Sequence, residues 1–295
     1  MVDIAVVGAG TMGNGIAHVF AQAGFRVTMI DVNAEQLRTA TATIARNLDR
    51  QLAKEIITAE TRATTLQNIA TTDQLAEGVK NADLVIEAAT ENTLLKHSIF
   101  KQVDEAAPPY AILASNTSSI SITKIGAATR RPEQVIGMHF MNPVPVMKLV
   151  EIINGYATKK EVTETIVSLT RQLNKVPCVV NDYPGFVANR LLMPMINEAI
   201  FSLFEGVAGV DAIDTVMKLG MGHPMGPLQL ADFIGLDVCL SIMDVLYQGF
   251  GNQKYAPCPL LSNMVAAGFL GIKSGEGFYS YSTGSKELVV SGRFR

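Results

Sequence analysis

Short apolar runs recur along the first half of the chain and alternate with stretches whose apolar residues fall three or four apart. The runs cover residues 4–7, 27–30, 84–88, 111–114 and 135–139. They are mostly continuous, the pattern of strands buried on both faces in a parallel sheet covered by helices. The helical stretches between them cover 12–23, 34–56, 94–106 and 122–128. A β-α-β order repeated in this way predicts a doubly wound sheet. Two further strand-like runs, 148–153 and 176–180, flank a helix near 161–173.

The pattern changes near residues 182–185. Beyond it the chain reads as helices over 186–204, 210–219 and 228–246, the first opened by Asn181 or Asp182 as cap and by Pro184 at an early position. The expected fold class is α/β: a Rossmann-type doubly wound, mostly parallel sheet domain over 1–183, then an all-α C-terminal domain over 184–282. Residues 283–295, rich in Ser, Gly and charge, read as a loose tail.

Composition narrows the function. The chain has 295 residues, 48% of them hydrophobic, which suits a packed soluble protein and not disorder. A net charge of −3 without clustered Lys and Arg argues against a nucleic-acid surface. Three cysteines at unrelated spacings read as reduced thiols of a cytosolic protein. No apolar run approaches the ~18 residues of a membrane span. The first residues lack the basic start and long apolar stretch of a signal peptide, so an intact, cytoplasmic N-terminus is expected.

Gly8-Ala-Gly-Thr-Met-Gly13 follows a strand and opens a helix. In that setting Gly8 allows a tight turn, Gly10 lets the backbone approach a pyrophosphate, and Gly13 allows close helix–strand packing. The free N–H groups at the helix start favour an anion. Asp31 ends the second strand, where a carboxylate would bind ribose hydroxyls and repel a 2′-phosphate. No Arg follows among Val32, Asn33 and Ala34. NAD is favoured over NADP, with flavin or S-adenosylmethionine as alternatives.

His139 sits at the carboxyl end of a strand, the edge where ligands of open α/β sheets gather. It is either a satisfied core histidine or a general base, which oxidation of an alcohol needs. Glu151 is acidic within the apolar run Lys148-Leu-Val-Glu-Ile-Ile153, and a buried carboxylate is costly unless paired. His139, one short Pro-rich turn away, is its candidate partner. Ser115-Asn-Thr-Ser-Ser119 follows another strand, as either a capping loop or a polar part of the site. Asn189 falls in the apolar stripe of its helix with Phe186, Met193, Ile196 and Ile200, and must bond backbone or face a cleft. His18 and His97 read as packing or surface residues. No metal-site spacing is present.

These residues, with Glu87-Ala-Ala-Thr-Glu91, Gly137-Met-His-Phe-Met-Asn-Pro143, Pro184-Gly-Phe-Val-Ala-Asn-Arg190 and His223-Pro-Met-Gly-Pro227, give the chain its resemblance to the 3-hydroxyacyl-CoA dehydrogenases, most closely the bacterial short-chain 3-hydroxybutyryl-CoA type. The match runs over residues 3–282. The resemblance implies reversible NAD-dependent oxidation of a short 3-hydroxyacyl-CoA to the 3-ketoacyl-CoA. It implies His139 as general acid/base with Glu151 orienting it, and Ser118 and Asn189 positioning the 3-oxygen. It places Gly8, Ala9, Gly10, Thr11, Met12, Gly13 and Asp31 at the cofactor, with Glu91, Lys96, Ser118 and Asn142 along the nicotinamide half. Lys273 approaches from the second domain, and Lys54 or Arg50 contacts coenzyme A. A homodimer through the C-terminal helices is implied as well. The chain departs from the family in having Ile272 where Arg is frequent and Arg50 where Lys is common, which puts coenzyme A affinity in doubt and not the reaction. The rival readings are a Rossmann dehydrogenase of free hydroxy acids and a non-enzymatic dinucleotide-binding protein.

Overall fold

Six central strands of an eight-stranded sheet, each with a run of apolar residues that must be covered on both faces, set the architecture of the first part of the chain. The structure is a computed structural model that describes residues 2–281 and 288–295. The chain divides into two compact units, Met1–Tyr183 and Pro184–Arg295.

The first unit runs β1 (Asp3–Val7), α1 (Thr11–Gln22), β2 (Arg26–Ile30), α2 (Ala34–Ala53), α3 (Ala59–Gln67), β3 (Ile69–Thr72), α4 (Leu75–Val79), β4 (Leu84–Glu87), α5 (Thr93–Ala106), β5 (Ile112–Ser115), α6 (Ile122–Gly126), β6 (Val135–Phe140), β7 (Leu149–Asn154), α7 (Lys160–Gln172) and β8 (Val176–Asn181). The sheet order is β3-β2-β1-β4-β5-β6-β7-β8. Every pairing is parallel except β6 with β7. The expected Rossmann-type sheet is therefore present. The order reverses between β1 and β4, which makes the crevice beyond their carboxyl ends the topological switch point.

Three parts of this unit differ from the sequence reading. The segment 59–79, where the sequence predicts no element, holds α3, β3 and α4. Its residues are Thr-rich and mostly uncovered, with Thr65 the only buried residue of α3. The helix expected to reach residue 56 ends at Ala53, with Lys54 as its C-cap and Glu55 at φ 55°. Asp182 does not cap the helix that follows it. Its carboxylate accepts from Ser121 Oγ (2.7 Å), Ile122 N (3.1 Å) and Thr123 N (2.8 Å), so it closes the N-terminus of α6 instead.

The second unit packs α8 (Ala188–Phe204), α9 (Val210–Thr215), α10 (Pro227–Ile234), α11 (Leu236–Phe250) and α12 (Pro259–Ala266) around Met193, Ile196, Ile200, Leu228 and Leu246. The single helix expected over 228–246 is two, broken at Gly235, whose φ of 102° a helix cannot continue through. The buried amide of α8 is Asn197, which donates to Ala256 O and accepts from Cys258 N. Asn189, two turns earlier, is half-buried.

The loose tail needs correction over 288–295, while residues 282–287 lie outside the described residues. β10 (Val289–Val290) pairs antiparallel with β9 (Tyr279–Ser280), and fully buried Ser291 donates to Glu276 Oε1. Buried Asp214 and Asp232 anchor β9. Asp214 accepts from Leu228 N, Gln229 N and the Tyr279 hydroxyl, and Asp232 from Phe278 N, Tyr279 N and the Tyr281 hydroxyl. The second unit is thus helical with one small ribbon. No helix among the described residues is long and apolar enough to cross a membrane.

Candidate active site

Because β1, β4, β5 and β6 are parallel, their carboxyl ends share one edge of the sheet. Each ends in chemistry: β1 in the glycine loop, β4 in Glu87, β5 in Ser115, and β6 in His139 and Phe140. Three strand spacings, about 14 Å, separate the glycine loop from His139 along that edge.

The glycine loop turns tightly because it must. Gly8 has φ +102°, and a Cβ there would lie 2.7 Å from Ala88 O. A Cβ on Gly13 would lie 1.8 Å from Gly8 O, so α1 can only rest this close to the strand without one. Gly10 is different. Its φ of −66° suits any residue, and a Cβ would meet nothing within 4 Å. Neither the backbone nor packing explains that glycine, whereas a ligand laid on the loop would. α1 has no side-chain cap and no acid in its first turn, which leaves the N-terminal amides of Thr11 and Met12 and the helix dipole for an anion.

A cleft of about 500 Å³ opens at the switch point, lined by Gly8, Gly10, Asp31 and Val32 on one side and Ala88–Thr90 and Leu95 on the other. Asp31 Oδ2 accepts from Ala9 N (2.8 Å) and Oδ1 from Asn33 N (2.9 Å). The carboxylate therefore shapes the glycine loop while facing the cleft, and each oxygen keeps a further acceptor direction. Gln36 Nε2 donates to Ala9 O and secures the loop from α2. These residues fit a dinucleotide.

His139 and Glu151 face each other directly across the antiparallel β6–β7 pair. Their Nδ1 and Oε2 lie 2.8 Å apart, with both residues buried. A carboxylate oxygen accepts, so Nδ1 is the donor of this pair. The antiparallel register makes the two side chains neighbours on one face.

Two loops complete this edge. Glu91 Oε1 accepts from Thr117 Oγ1 (2.5 Å), Ser118 N (3.0 Å), Ser119 N (3.1 Å) and Ser119 Oγ (2.9 Å). Burial pushes the Glu91 carboxyl up, but Lys96 and these hydrogen bonds outweigh it and hold it below the usual range. Ser118 is half-buried on this loop. Lys96, expected along the cofactor, is only 1% exposed. Its ammonium is 2.7 Å from Glu87 Oε1, 3.2 Å from Ala89 O and 3.4 Å from Glu91 Oε2, because Glu87 behind it is buried and must be neutralised.

A polar groove lined by Thr11, Thr39, Thr43, Asn47 and Asn142 runs beside the start of α1. Arg50 and Lys54 are exposed further along the same helix, α2, and its end. In the second unit Asn189 lies in the first turn of α8, and Lys273 pairs with Asp237 at the start of α11.

The sequence reading gave no role to Glu87 or Asn116. Asn116 Oδ1 accepts from Phe140 N (2.9 Å) and ties the loop after β5 to the strand carrying His139. An acid closing the apolar run Leu84-Val-Ile-Glu87 was a visible signal for the first. Nothing in the sequence singled out the second.

The comparisons agree with this geometry. The family model described as 3-hydroxyacyl-CoA dehydrogenase, NAD binding domain, matches residues 3–183, and that described as its C-terminal domain matches 185–281. A 3-hydroxybutyryl-CoA dehydrogenase of Bradyrhizobium diazoefficiens is 53% identical over 94% of each chain. The human mitochondrial hydroxyacyl-coenzyme A dehydrogenase is 42% identical over 94% of this chain and 90% of its own. The crystal structure of (S)-3-hydroxybutyryl-CoA dehydrogenase from Ralstonia eutropha superposes with a TM-score of 0.93 at 49% identity, covering 95% of this chain and 99% of that one. With a glycine loop, a paired histidine and both domain models in register, the chain belongs to the 3-hydroxyacyl-CoA dehydrogenase family.

Proposed function

We propose that this chain oxidises a short (S)-3-hydroxyacyl-CoA, such as 3-hydroxybutyryl-CoA, to the 3-ketoacyl-CoA with NAD, reversibly and in the cytoplasm. The observation that carries the reading is the buried His139–Glu151 pair on the same sheet edge as a glycine loop whose Gly10 no protein contact explains. NAD, when bound, supplies the hydride acceptor. Gly8 to Gly13 and the α1 N-terminus hold its pyrophosphate, and Asp31 its adenosine ribose. Glu91, Ser118 and Asn142 stand along the nicotinamide end.

His139 Nε2 takes the 3-hydroxyl proton as the C3 hydride leaves, and Glu151 stabilises the imidazolium that forms. In reverse, protonated His139 donates to the oxygen of the ketone. Ser118 holds that oxygen. The row of Thr39, Thr43 and Asn47 suits the amides of a pantetheine arm, with Lys54 and Arg50 toward the coenzyme A phosphates. Exposed Leu191, Phe204, Leu219 and Phe233 in the second unit support a homodimer. Neither nucleic acid nor membrane enters the reading.

The test is loss of NADH absorbance on adding acetoacetyl-CoA, with acetoacetate as the control. Base catalysis contributes about 10²–10⁴-fold, so His139→Gln should lose at least that order with NADH affinity kept. Turnover of acetoacetate alone, or wild-type rates in His139→Gln, overturns the proposal.

A further inference from the structure

We infer that Glu87 is a positioning residue that locks the two loops on the cofactor side of the site onto one another. The inference rests on reading the cleft as a dinucleotide site. Glu87 ends β4 and is 1% exposed. Its Oε1 accepts from Lys96 Nζ (2.7 Å) and Ala89 N (2.7 Å), and its Oε2 from Ser115 Oγ (2.7 Å). Ser115 Oγ in turn accepts from Thr117 N (3.2 Å). Lys96 passes the connection on to Glu91, which gathers Thr117, Ser118 and Ser119. The result is a closed circuit. One buried carboxylate fixes the loop after β4 through Ala89 and the loop after β5 through Ser115. The ammonium it neutralises fixes Glu91 between them.

Stability alone does not account for this arrangement. Burying both charges costs solvation that their attraction only partly returns, and an apolar pair of the same volume is often as stable. Positioning does account for it. With Glu87 neutral, the only carboxylate among the described residues still near the Lys96 ammonium is Glu91, at 3.4 Å. The ammonium is then drawn toward Glu91 and competes with residues 117–119 for it. Ser118 and the nicotinamide-facing side of Glu91 lose their fixed places, although neither has been changed. Glu87 thus acts through Lys96 and Ser115 and touches no reacting atom.

The experiment compares Glu87→Gln with wild type by NADH fluorescence titration, by kcat and KM for NADH and acetoacetyl-CoA, and by Tm. Losing a charge-assisted bond predicts NADH binding weaker by about 10-fold or more, with kcat/KM falling further. Phe100→Leu, a core change in the same helix as Lys96, is the control for general loosening. It should lower Tm and leave NADH affinity unchanged. Should Glu87→Gln not fold, Ser115→Ala removes two bonds of the circuit and should weaken NADH binding by about threefold while lowering Tm by about 2–10 °C, the range in which Phe100→Leu leaves affinity unchanged. A folded Glu87→Gln, or failing that Ser115→Ala, with wild-type NADH affinity overturns the inference. So does a Phe100→Leu that loses affinity as much. Failure of the wild type itself to bind NADH would overturn the dinucleotide reading instead.

Discussion

Adding one methyl group to the glycine loop should give opposite results at two positions three residues apart, Gly10 and Gly13. At Gly13 the new Cβ would lie 1.8 Å from the Gly8 carbonyl oxygen, a backbone atom that no rotamer can move aside. Strand and helix must separate by more than 1 Å, roughly, and overpacking of that kind costs ~1–3 kcal/mol or more. In a unit this size each kcal/mol lowers Tm by about 2–4 °C, so Gly13→Ala should lose roughly 5–10 °C. At Gly10 a Cβ meets nothing within 4 Å, and φ is −66°. Alanine there stiffens the unfolded chain, a gain of about 0.4–1 kcal/mol, and caps the helix slightly less well. The two effects nearly cancel, so Tm should stay within about 2 °C of wild type. The methyl would nevertheless stand where a pyrophosphate has to approach the backbone, and NADH affinity should fall about 10-fold or more, since one lost hydrogen bond to a charged group is worth about 1.5–3 kcal/mol. Differential scanning fluorimetry without ligand and NADH fluorescence titration measure the two quantities separately. Gly10→Ala with wild-type affinity would refute the cradle, and with it the claim that an unexplained glycine marks the ligand.

Further outcomes test other parts of the site. Glu151→Gln keeps the shape of the residue 2.8 Å from His139 but removes the charge, and at about 4 kcal/mol for opposite charges ~4 Å apart as an upper bound kcat/KM should fall by about 30- to 1000-fold; a loss below threefold would count against the pair. NADH should outperform NADPH in the wild type, and Asp31→Asn, which keeps an acceptor for Ala9 N, should narrow that preference by about 10-fold; an unchanged ratio would show that Asp31 does not read the ribose. Burial lowers His18 to about 4, against a bond from Gln22 that raises it and with Lys175 adding to the lowering. The folded state therefore favours neutral His18, whose contribution is present above its ordinary pKa of about 6.5 and is lost as pH falls from 6.5 toward 4. Urea unfolding should show wild type losing about 2 kcal/mol more than His18→Leu between pH 7 and pH 5. Burial raises Asp232 to about 6, which adds stability as pH falls through 6, but both proteins share that effect and it cancels in the comparison. Equal slopes would sink the His18 account.

The parallel strands were legible because burial on both faces forces continuous apolar runs, and each such run became a strand within a residue or two. The glycine loop was legible because three separate steric demands fall on three spaced positions. What escaped had no apolar signature. β3 is a four-residue edge strand with a Thr on each face, and α3 carries a single buried residue, so nothing periodic marked either. Asp182 is a cap whose helix is not the next in sequence: it bonds residues about sixty positions earlier. The burial of Lys96 escaped for a related reason. A lysine one turn into a helix reads as exposed unless something buried requires it, and that something is Glu87, nine residues before it.

One rule covers both carboxylates at this edge: an acid inside an apolar strand must have a partner. Applied to Glu151, it led to His139, because the antiparallel turn brings the next strand back into register. The partner of Glu87 lies on a helix instead, and its hydroxyl contact lies on the neighbouring parallel strand, where register cannot be read from the chain. Burial of a charge could therefore be inferred from sequence at both positions, but the identity of its partner only where the connection was short. Long-range pairing is the quantity that coordinates add. At this edge it connects the residues proposed to do the chemistry with a residue, Glu87, proposed to hold them in place.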